Sequence, residues 1–250
     1  MAYYLSEMTW PEVQEALKTA VLAVIPIGAH EQHGPHMTEN CDDVLAEEMA
    51  RRLVTNLHPY AVMTPTIPFG ISIHHIHFPG TITLRPETLT RVLYDVIWSL
   101  KQHGLENFLI VNAHGGNQSL LSVASTEISV ELGVKVYYAK TTASAKQAIA
   151  KHVQSKVFGH SCEREVSEAL YMAPHIIRQD RLSEAEFNDG KWRQLRPGNP
   201  IQGFYFYDEM TRNGCIGNAT QASLEAGREI VEEALDNLTR AARELFGLPD

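Results

Sequence analysis

Short apolar runs alternate along this chain with longer stretches in which apolar residues recur every three or four positions. Because the runs are short and rich in valine and isoleucine, they predict buried strands, at 21–27, 61–67, 108–111 and 134–139. The stretches between them predict helices. Strands that alternate with helices of this length predict an α/β fold, a mostly parallel sheet flanked by helices on both faces.

The borders of the predicted helices carry residues suited to helix ends. Thr9 and Glu12 fit a capping box around Pro11, while Gly104 and Gly133 follow helices that they would stop. The predicted helices cover 10–18, 42–56, 85–103, 118–132, 143–157 and 163–172, with a last helix that ends near residue 245. The segment 175–217 has no clear periodicity. Its aromatic patch, residues 204–207, could cover an active site or pack against a second subunit.

Composition narrows the class of protein. A chain of 250 residues that is 44% hydrophobic can bury one sizeable core, so we expect a single domain over residues 1–250. A net charge of −9 without clustered Lys and Arg argues against nucleic acid or an anionic membrane as partner. Without a signal-peptide pattern or an apolar run of about 20 residues, we expect a cytoplasmic protein. The odd number of cysteines, three, fits reduced thiols.

The loop after the first strand is rich in residues that bind metals. Glu31 and His33 follow the strand, and Asp42 comes nine residues later at a predicted helix start. A returning loop would aim two carboxylates and an imidazole at one or two divalent ions. Seen alone, the loop leaves a second interpretation open, in which these side chains only hydrogen-bond one another.

Three other segments extend this chemistry. His114, Gly115 and Gly116 follow the strand at 108–111, and the carboxyl ends of parallel strands share one edge of a sheet, where ligands bind. A predicted helix start carries His160-Ser161-Cys162-Glu163-Arg164-Glu165. The loop at 68–80 carries three more histidines, which we expect to line a substrate pocket and not to bind metal. We therefore expect all of these segments to lie near one site.

Four motifs together resemble the creatininase (creatinine amidohydrolase) family of metal-dependent hydrolases. They occur in the family's order over nearly the whole chain. The motifs are Glu31-Gln32-His33-Gly34-Pro35-His36 with Asp42; Phe78-Pro79-Gly80-Thr81-Ile82 with Arg85-Pro86-Glu87-Thr88; Asn112-Ala113-His114-Gly115-Gly116-Asn117; and His160 with Glu163, Glu165 and Ser167.

The resemblance implies two divalent metal ions in each chain, zinc foremost, with manganese or iron as alternatives. It assigns Glu31 and His114 to one ion, His33 to the other and Asp42 to both. Creatininase has a further Glu at the place of Gly116, whereas many relatives have one at the place of Glu163. The resemblance therefore implies that Glu163 completes the second ion's ligands or shuttles protons, and that Glu165 only supports it.

The resemblance also implies roles in catalysis and substrate binding. Glu163 and His160 are the expected catalytic residues, with His160 protonating the leaving nitrogen, since an imidazole exchanges protons near neutral pH. Two divalent ions would lower the pKa of water and polarise a carbonyl group. The expected substrate-binding residues are Ser72, His74, His75 and Gly115.

These expectations predict a dinuclear hydrolase that acts on a cyclic amide or another non-peptide C–N bond of a small molecule. The family also includes a deformylase and a peptidase that act on cofactor precursors, and a hydrolase of an oxidised cyclitol that cleaves a C–C bond. It implies a homohexamer built from dimers. Two readings of another kind stay open: a non-catalytic metal-binding scaffold subunit, and an amidase with Cys162 as nucleophile and His160 as base.

Overall fold

Five strands form one parallel sheet in a computed structural model that describes residues 2–190, 200–201 and 203–249. The strands lie in the order β1-β3-β2-β4-β5. Every residue of the central strand β2 is buried, as its unbroken apolar sequence predicts for a strand covered on both faces. The strands are β1 (Tyr3–Tyr4), β2 (Leu22–Ile27), β3 (Ala61–Met63), β4 (Asn107–Asn112) and β5 (Lys135–Lys140).

Helices cover both faces of the sheet. The helices are α1 (Trp10–Ala16), α2 (Cys41–Asn56), α3 (Pro86–Lys101), α4 (Gln118–Leu132), α5 (Lys146–His152), α6 (Glu163–Met172), α7 (Tyr207–Met210) and α8 (Leu224–Phe246). One core lies between the sheet and α2, α5, α6 and α8, and includes Met49 and Ile230. The other lies between the sheet and α1, α3 and α4, and includes Leu93 and Ile128. The predicted α/β fold is confirmed.

Some predicted elements are shorter in the structure. Strand β3 ends at Met63 because Pro65 has no N–H to donate to the sheet, and Ile67 makes only an isolated bridge to Ile27. Helix α5 ends at His152, where the backbone of Val153 becomes extended. The segment 175–217 contains short helical turns and α7, while residues 191–199 and 202 lie outside the described part.

The polar loops all open at one edge of the sheet. Strand β2 leads into Glu31 and His33, and β4 leads into His114. Helix α6 reaches this edge because it packs closely on α8, where Gly227 lies against the carbonyl oxygen of Ser167 and a Cβ would overlap it. None of the described helices has the length and apolar character needed to cross a membrane.

Candidate metal centre

Carboxylates and imidazoles from five segments meet beside a cavity of about 810 Å³ at the carboxyl edge of the sheet. Each of these residues is at most 6% exposed. The segments are the loop after β2, the first turn of α2, the loop before α3, the loop after β4 and the start of α6. The side chains are Glu31, His33, Asp42, His75, His114, His160 and Glu165.

Asp42 lies between two histidines, one on each carboxylate oxygen. Its Oδ1 is 3.4 Å from Nε2 of His33, and its Oδ2 is 3.0 Å from Nδ1 of His114. Its place in the first turn of α2 directs the carboxylate into the cluster. A carboxylate that offers one oxygen to each side has the geometry of a ligand shared by two ions.

Glu31 and Glu165 lie on opposite sides of Asp42. Glu31 Oε2 is 3.3 Å from Nε2 of His114, and Oε1 is 3.2 Å from Nε2 of His75. On the other side, Glu165 Oε2 is 3.9 Å from Nε2 of His33. The cluster therefore divides into a Glu31–His114 half and a His33–Glu165 half, with Asp42 between them.

Backbone carbonyl groups fix the orientation of three imidazole rings. His33 Nδ1 donates to the carbonyl oxygen of Glu31 at 3.1 Å, and His114 Nε2 donates to that of Ile71 at 2.9 Å. His160 Nε2 donates to the carbonyl oxygen of Gln32 at 2.7 Å. In each neutral ring the other nitrogen then carries no proton, as metal-binding histidines require. That nitrogen faces Asp42 in His33 and His114, and Glu31 in His160.

Several buried polar atoms of the cluster lack a hydrogen bond within the described residues. They are both carboxylate oxygens of Glu31, Nε2 of His33, Oδ2 of Asp42 and Nε2 of His75. Buried polar atoms without partners are costly and uncommon in proteins. Divalent cations would satisfy those of Glu31, His33 and Asp42, and a mixed imidazole and carboxylate set suits zinc, manganese or iron. The residues therefore fit the metal centre that the sequence predicts.

Opposite charges offset the effect of burial on the bridging group. Burial raises the pKa of Asp42, but His33 and His114 outweigh it and hold that pKa well below its ordinary value. Burial lowers the pKa of His114, but Glu31 and Asp42 raise it well above the ordinary value. Protons on the histidines thus balance the carboxylates, and bound cations would replace those protons.

The pKa shifts of two other groups in the cluster favour their neutral forms. Burial, reinforced by Asp42 and opposed by His33, raises the pKa of Glu165 to about 7. Burial and the nearby His33 lower the pKa of His160 to about 3. The His160 ring is therefore neutral at physiological pH, with its unprotonated Nδ1 3.7 Å from Oε1 of Glu31.

The structure does not bring Glu163 into the cluster. Its Oε1 accepts a hydrogen bond from the amide of Ser155 at 2.8 Å, and its Oε2 accepts one from the amide of Asn218 at 3.1 Å. The side chain therefore ties two loops to the start of α6. Glu165, which the sequence analysis assigned only a supporting role, occupies the position expected of Glu163.

The place at which creatininase has its further Glu cannot hold a side chain here. A Cβ on Gly116 would overlap the carbonyl oxygen of Ile71 and the ring of His114. A carboxylate for the second half of the cluster must therefore come from another segment, and Glu165 supplies it.

The residues predicted to bind substrate divide into two groups. His74, His75 and Gly115 line the cavity, whereas Ser72 is buried and is not one of its lining residues. The His74 ring stacks on that of His114, with centroids 5.6 Å apart, and burial lowers the pKa of His74 to about 4. His75 faces Glu31 and so belongs to the cluster as much as to the cavity wall.

Two more residues shape the site: Gln32, for which the sequence predicted no role, and Tyr207, part of the patch that could cover an active site or pack against a second subunit. Gln32 contacts both His75 and His160 through its amide nitrogen, at 2.8 and 3.0 Å, and its position inside the first motif was the available signal. The ring centroid of Tyr207 lies 3.9 Å from that of His75. Tyr207 belongs to the aromatic patch, which contributes Phe204 and Tyr205 to the cavity wall as well.

The family model for creatininase, described as creatinine amidohydrolase, matches residues 6–242. This chain belongs to the creatininase family. The match spans all the segments that form the metal centre, so the resemblance predicted from four motifs is confirmed. Relatives of this creatininase-family chain are named as hydrolases, and the prediction that the chain is a hydrolase is confirmed with it.

Three curated relatives illustrate the range of named activities in the creatininase family. A mycofactocin precursor peptide peptidase of Mycobacterium ulcerans (strain Agy99) is 27% identical over 94% of this chain and 86% of the relative. Creatinine amidohydrolase of Pseudomonas putida is 24% identical over 97% of both chains. A 3-dehydro-scyllo-inosose hydrolase of Thermotoga maritima (strain ATCC 43589) is 26% identical over 97% of this chain and 83% of the relative.

Solved creatininase structures have the same fold and contain metals. A structure named creatininase Mn is 25% identical, with a TM-score of 0.85 over 98% of this chain and 99% of that chain. A mutant creatininase described as the Zn-Zn type is 26% identical, with a TM-score of 0.84 over the same shares of the two chains. Members of the family thus bind the metals that suit the donor set of this cluster.

Proposed function

We propose that this chain is a dinuclear metal-dependent hydrolase that acts on a C–N bond of a small molecule, a cyclic amide or a related non-peptide amide. The observation that carries the proposal is the position of Asp42, whose two oxygens face different histidines among buried atoms without hydrogen bonds. The names of the relatives, which include an amidohydrolase, support the reaction class.

The two halves of the cluster define the proposed ligands. Glu31 and His114 hold one ion, His33 and Glu165 hold the other, and Asp42 is shared. This assignment keeps four of the ligands expected from the sequence and replaces Glu163 with Glu165. Ions bound there would lower the pKa of a water molecule and polarise the substrate carbonyl. Zinc or manganese fits the donor set and the metals named for the creatininase structures.

His160 is the proposed proton carrier. The carbonyl oxygen of Gln32 holds the proton on Nε2, so Nδ1 is left as the acceptor on the cluster side. In the proposed step Nδ1 takes a proton from the attacking water as its O–C bond forms and gives it to the leaving nitrogen as the C–N bond breaks. Burial lowers the pKa of His160 to about 3, which favours release of the proton and makes its uptake the more costly half. Glu163 has no part in this step, since both of its oxygens accept hydrogen bonds from backbone amides.

Other substrates are supported less directly. The relatives named as a peptidase and as an inosose hydrolase match this chain about as well as the amidohydrolase does, so a peptide bond or a ring ketone is the second candidate class. The amidase reading based on Cys162 loses support, because burial raises the pKa of this thiol to about 11 and Cys162 is not a cavity-lining residue. A scaffold without catalysis predicts bound metal with no hydrolysis of any substrate class.

Metal analysis with matched variants tests the proposal. Elemental analysis of purified protein should find about two ions per chain, as expected for a dinuclear site. The His33→Ala and Asp42→Asn variants should lose metal. His103→Ala and Asp43→Asn should keep it, because neither side chain belongs to the cluster. Absence of bound ions after reconstitution with zinc, manganese and iron would refute the proposal.

Three further predictions concern the whole protein. We propose that residues 1–250 act as one domain. We also propose that the chains assemble as a homohexamer of dimers, and light scattering coupled to size exclusion would measure the number of chains in the assembly. A cytoplasmic location is supported by Cys41, Cys162 and Cys215, which are free and buried. Localisation of a tagged chain in its host would test this.

A further inference from the structure

One wall of the cavity carries basic side chains beside the metal cluster. Lys140 is the last residue of β5, and its register partner Asn112 lies two residues before His114. Arg164 directly precedes Glu165 on α6. Both cations line the same cavity as Glu31, Asp42 and the histidines.

A buried carboxylate forms an ion pair with Arg164. Glu168 Oε1 lies 3.3 Å from Nε of Arg164 and accepts a hydrogen bond from the Thr142 hydroxyl at 2.7 Å. Because Thr142 follows Lys140 by two residues, this shared oxygen joins the end of β5 to the first turns of α6. The guanidinium group is therefore held on the Lys140 side of the cavity.

Both basic side chains have N–H groups that are not hydrogen-bonded within the described residues. The side chain of Arg164 is 24% exposed, and within the described residues its two Nη atoms donate no hydrogen bond. In the same part of the chain, the Lys140 ammonium makes neither a hydrogen bond nor an ion pair. A planar guanidinium offering two N–H groups and a neighbouring ammonium match the oxygens of a carboxylate or a phosphate.

Positively charged side chains are unexpected beside a site for metal cations, because like charges repel. Glu168 balances the charge of Arg164, but Lys140 has no such partner, and its ammonium would repel a metal ion. Lys140 is exposed where it lines the cavity, so its ammonium is available to an anion that enters there. An anion held there would place the rest of a substrate against the metal cluster.

We propose that Lys140 and Arg164 form a subsite for an anionic group on the substrate, a carboxylate or a phosphate, while Thr142 and Glu168 position the guanidinium. This inference deepens the proposed function, because the subsite selects among small-molecule substrates. It favours acidic amides over uncharged ones of the same shape.

Anion binding to the metal-free protein tests the subsite without relying on activity. Titration calorimetry of chelator-treated protein with succinate, inorganic phosphate and uncharged succinamide compares the three ligand types. We expect Lys140→Met to weaken the binding of the preferred anion about tenfold, the effect of one charge-assisted hydrogen bond. The preferred anion identifies the group as carboxylate or phosphate.

A matched control comes from the same strand. Lys135 is exposed at the opposite end of β5, so Lys135→Met makes the same chemical change away from the cavity. Lys135→Met should leave anion affinity unchanged, and Lys140→Glu should abolish it. Equal anion affinities in the wild type, Lys140→Met and Lys135→Met would overturn the inference.

Activity gives a second readout that separates this inference from the proposed function. Dihydroorotate and dihydrouracil are cyclic amides that differ by one carboxylate. On the metal-loaded enzyme, Lys140→Met should raise KM for the acid about tenfold and leave KM for the uncharged amide within about twofold. If Lys140→Met hydrolyses both amides with the same ratio of KM values as the wild type, the subsite is refuted and the proposed function stands. If no ions bind, the proposed function fails, and the titrations still decide the subsite.

Discussion

Glu163 and Glu165 lie two residues apart in the first turn of α6 and have different contacts. Residues at this spacing on a helix point in different directions. Glu165 faces His33 and Asp42, whereas Glu163 faces the amides of Ser155 and Asn218. The sequence shows both carboxylates, but the rotation of α6 that separates them depends on its packing against α8.

Substituting each glutamate separates the two roles. Glu165→Gln should reduce bound metal from about two ions per chain to about one, because an amide is a poor ligand in this position. Glu163→Gln should keep both ions and lower the free energy of unfolding by about 1–3 kcal/mol, since its amide nitrogen cannot accept a backbone N–H. Elemental analysis and urea unfolding measure the two effects. Metal loss in Glu163→Gln alone would restore the assignment made from sequence.

Ser161 links His33 and Glu165, the two members of one half of the cluster, through a backbone conformation that only glycine adopts easily. Its φ is 51°, its amide donates to Glu165 Oε2 at 2.5 Å, and its hydroxyl donates to the carbonyl oxygen of His33 at 2.6 Å. Nothing in the sequence predicts a left-handed serine. The conformation follows from the tight turn between His160 and the start of α6.

This serine gives a prediction about strain. Ser161→Ala and Ser161→Gly both lose the hydroxyl, but only glycine is free of the steric cost of a left-handed backbone, about 1 kcal/mol. We expect the glycine variant to be more stable than the alanine variant by about this amount in urea unfolding. Equal stability of the two variants would show that the surrounding structure relaxes the turn.

At the scale of elements, α5 is held to α8 by charged groups. Glu229 on α8 accepts hydrogen bonds from Lys151 Nζ at 2.7 Å and His152 Nε2 at 2.8 Å. These two partners, Lys151 first, lower the pKa of Glu229 from 4.5 to about 2. A lowered pKa in the folded state stabilises the protein above pH 4.5, and this contribution is lost as the pH falls toward about 2.

Acid unfolding should therefore respond to Glu229. The Glu229→Gln variant is expected to have a lower urea midpoint than the wild type at neutral pH and to approach it as the pH falls toward about 2. Asp236→Asn is the control, because Asp236 is exposed on α8 and makes no ion pair within the described residues. A constant difference between Glu229→Gln and wild type at every pH would contradict the assignment.

The elements themselves were largely predictable. The unbroken apolar runs predict β2 and β4, and the spacing of Leu89, Leu93 and Ile97 predicts α3, because both signals come from burial against one sheet. The predicted lengths of β3 and α5 were too long, because the ends of these elements are set by local turns and not by apolar periodicity. The described parts of the segment 175–217 are short helical turns, α7 and isolated bridges, and elements this short carry no apolar period.

At the scale of the whole molecule, bound metal should stabilise the fold. Ligands that bind only the folded state stabilise it by about 2.7 kcal/mol at a concentration of one hundred times Kd. Added zinc should raise the Tm of the wild type and of Asp43→Asn, and should have a smaller effect on Asp42→Asn. Differential scanning calorimetry with and without chelator measures the shifts. An equal rise in all three proteins would indicate binding outside the cluster.

The position of the metal centre was predictable because it follows from the arrangement of the whole sheet. Parallel strands bring their carboxyl ends to one edge, so Glu31, His33 and His114 were expected to meet although they are far apart in sequence. The wall with Lys140 and Arg164 was not predicted. Arg164 stands between Glu163 and Glu165 but had no predicted role, and Lys140 lies outside every motif. Their proximity depends on how α6 lies against the end of β5.

The order in which the chain is synthesised has a consequence for how the metal centre matures. Proteins emerge from the ribosome N-terminus first, so Asp42 and its neighbours are exposed long before α6 has been made. Strand β2 at that stage lacks its neighbour β4, and the cluster lacks the histidine and the carboxylate that follow. We therefore expect the full ligand set to form late in maturation, once the sheet is complete and α6 has packed against α8.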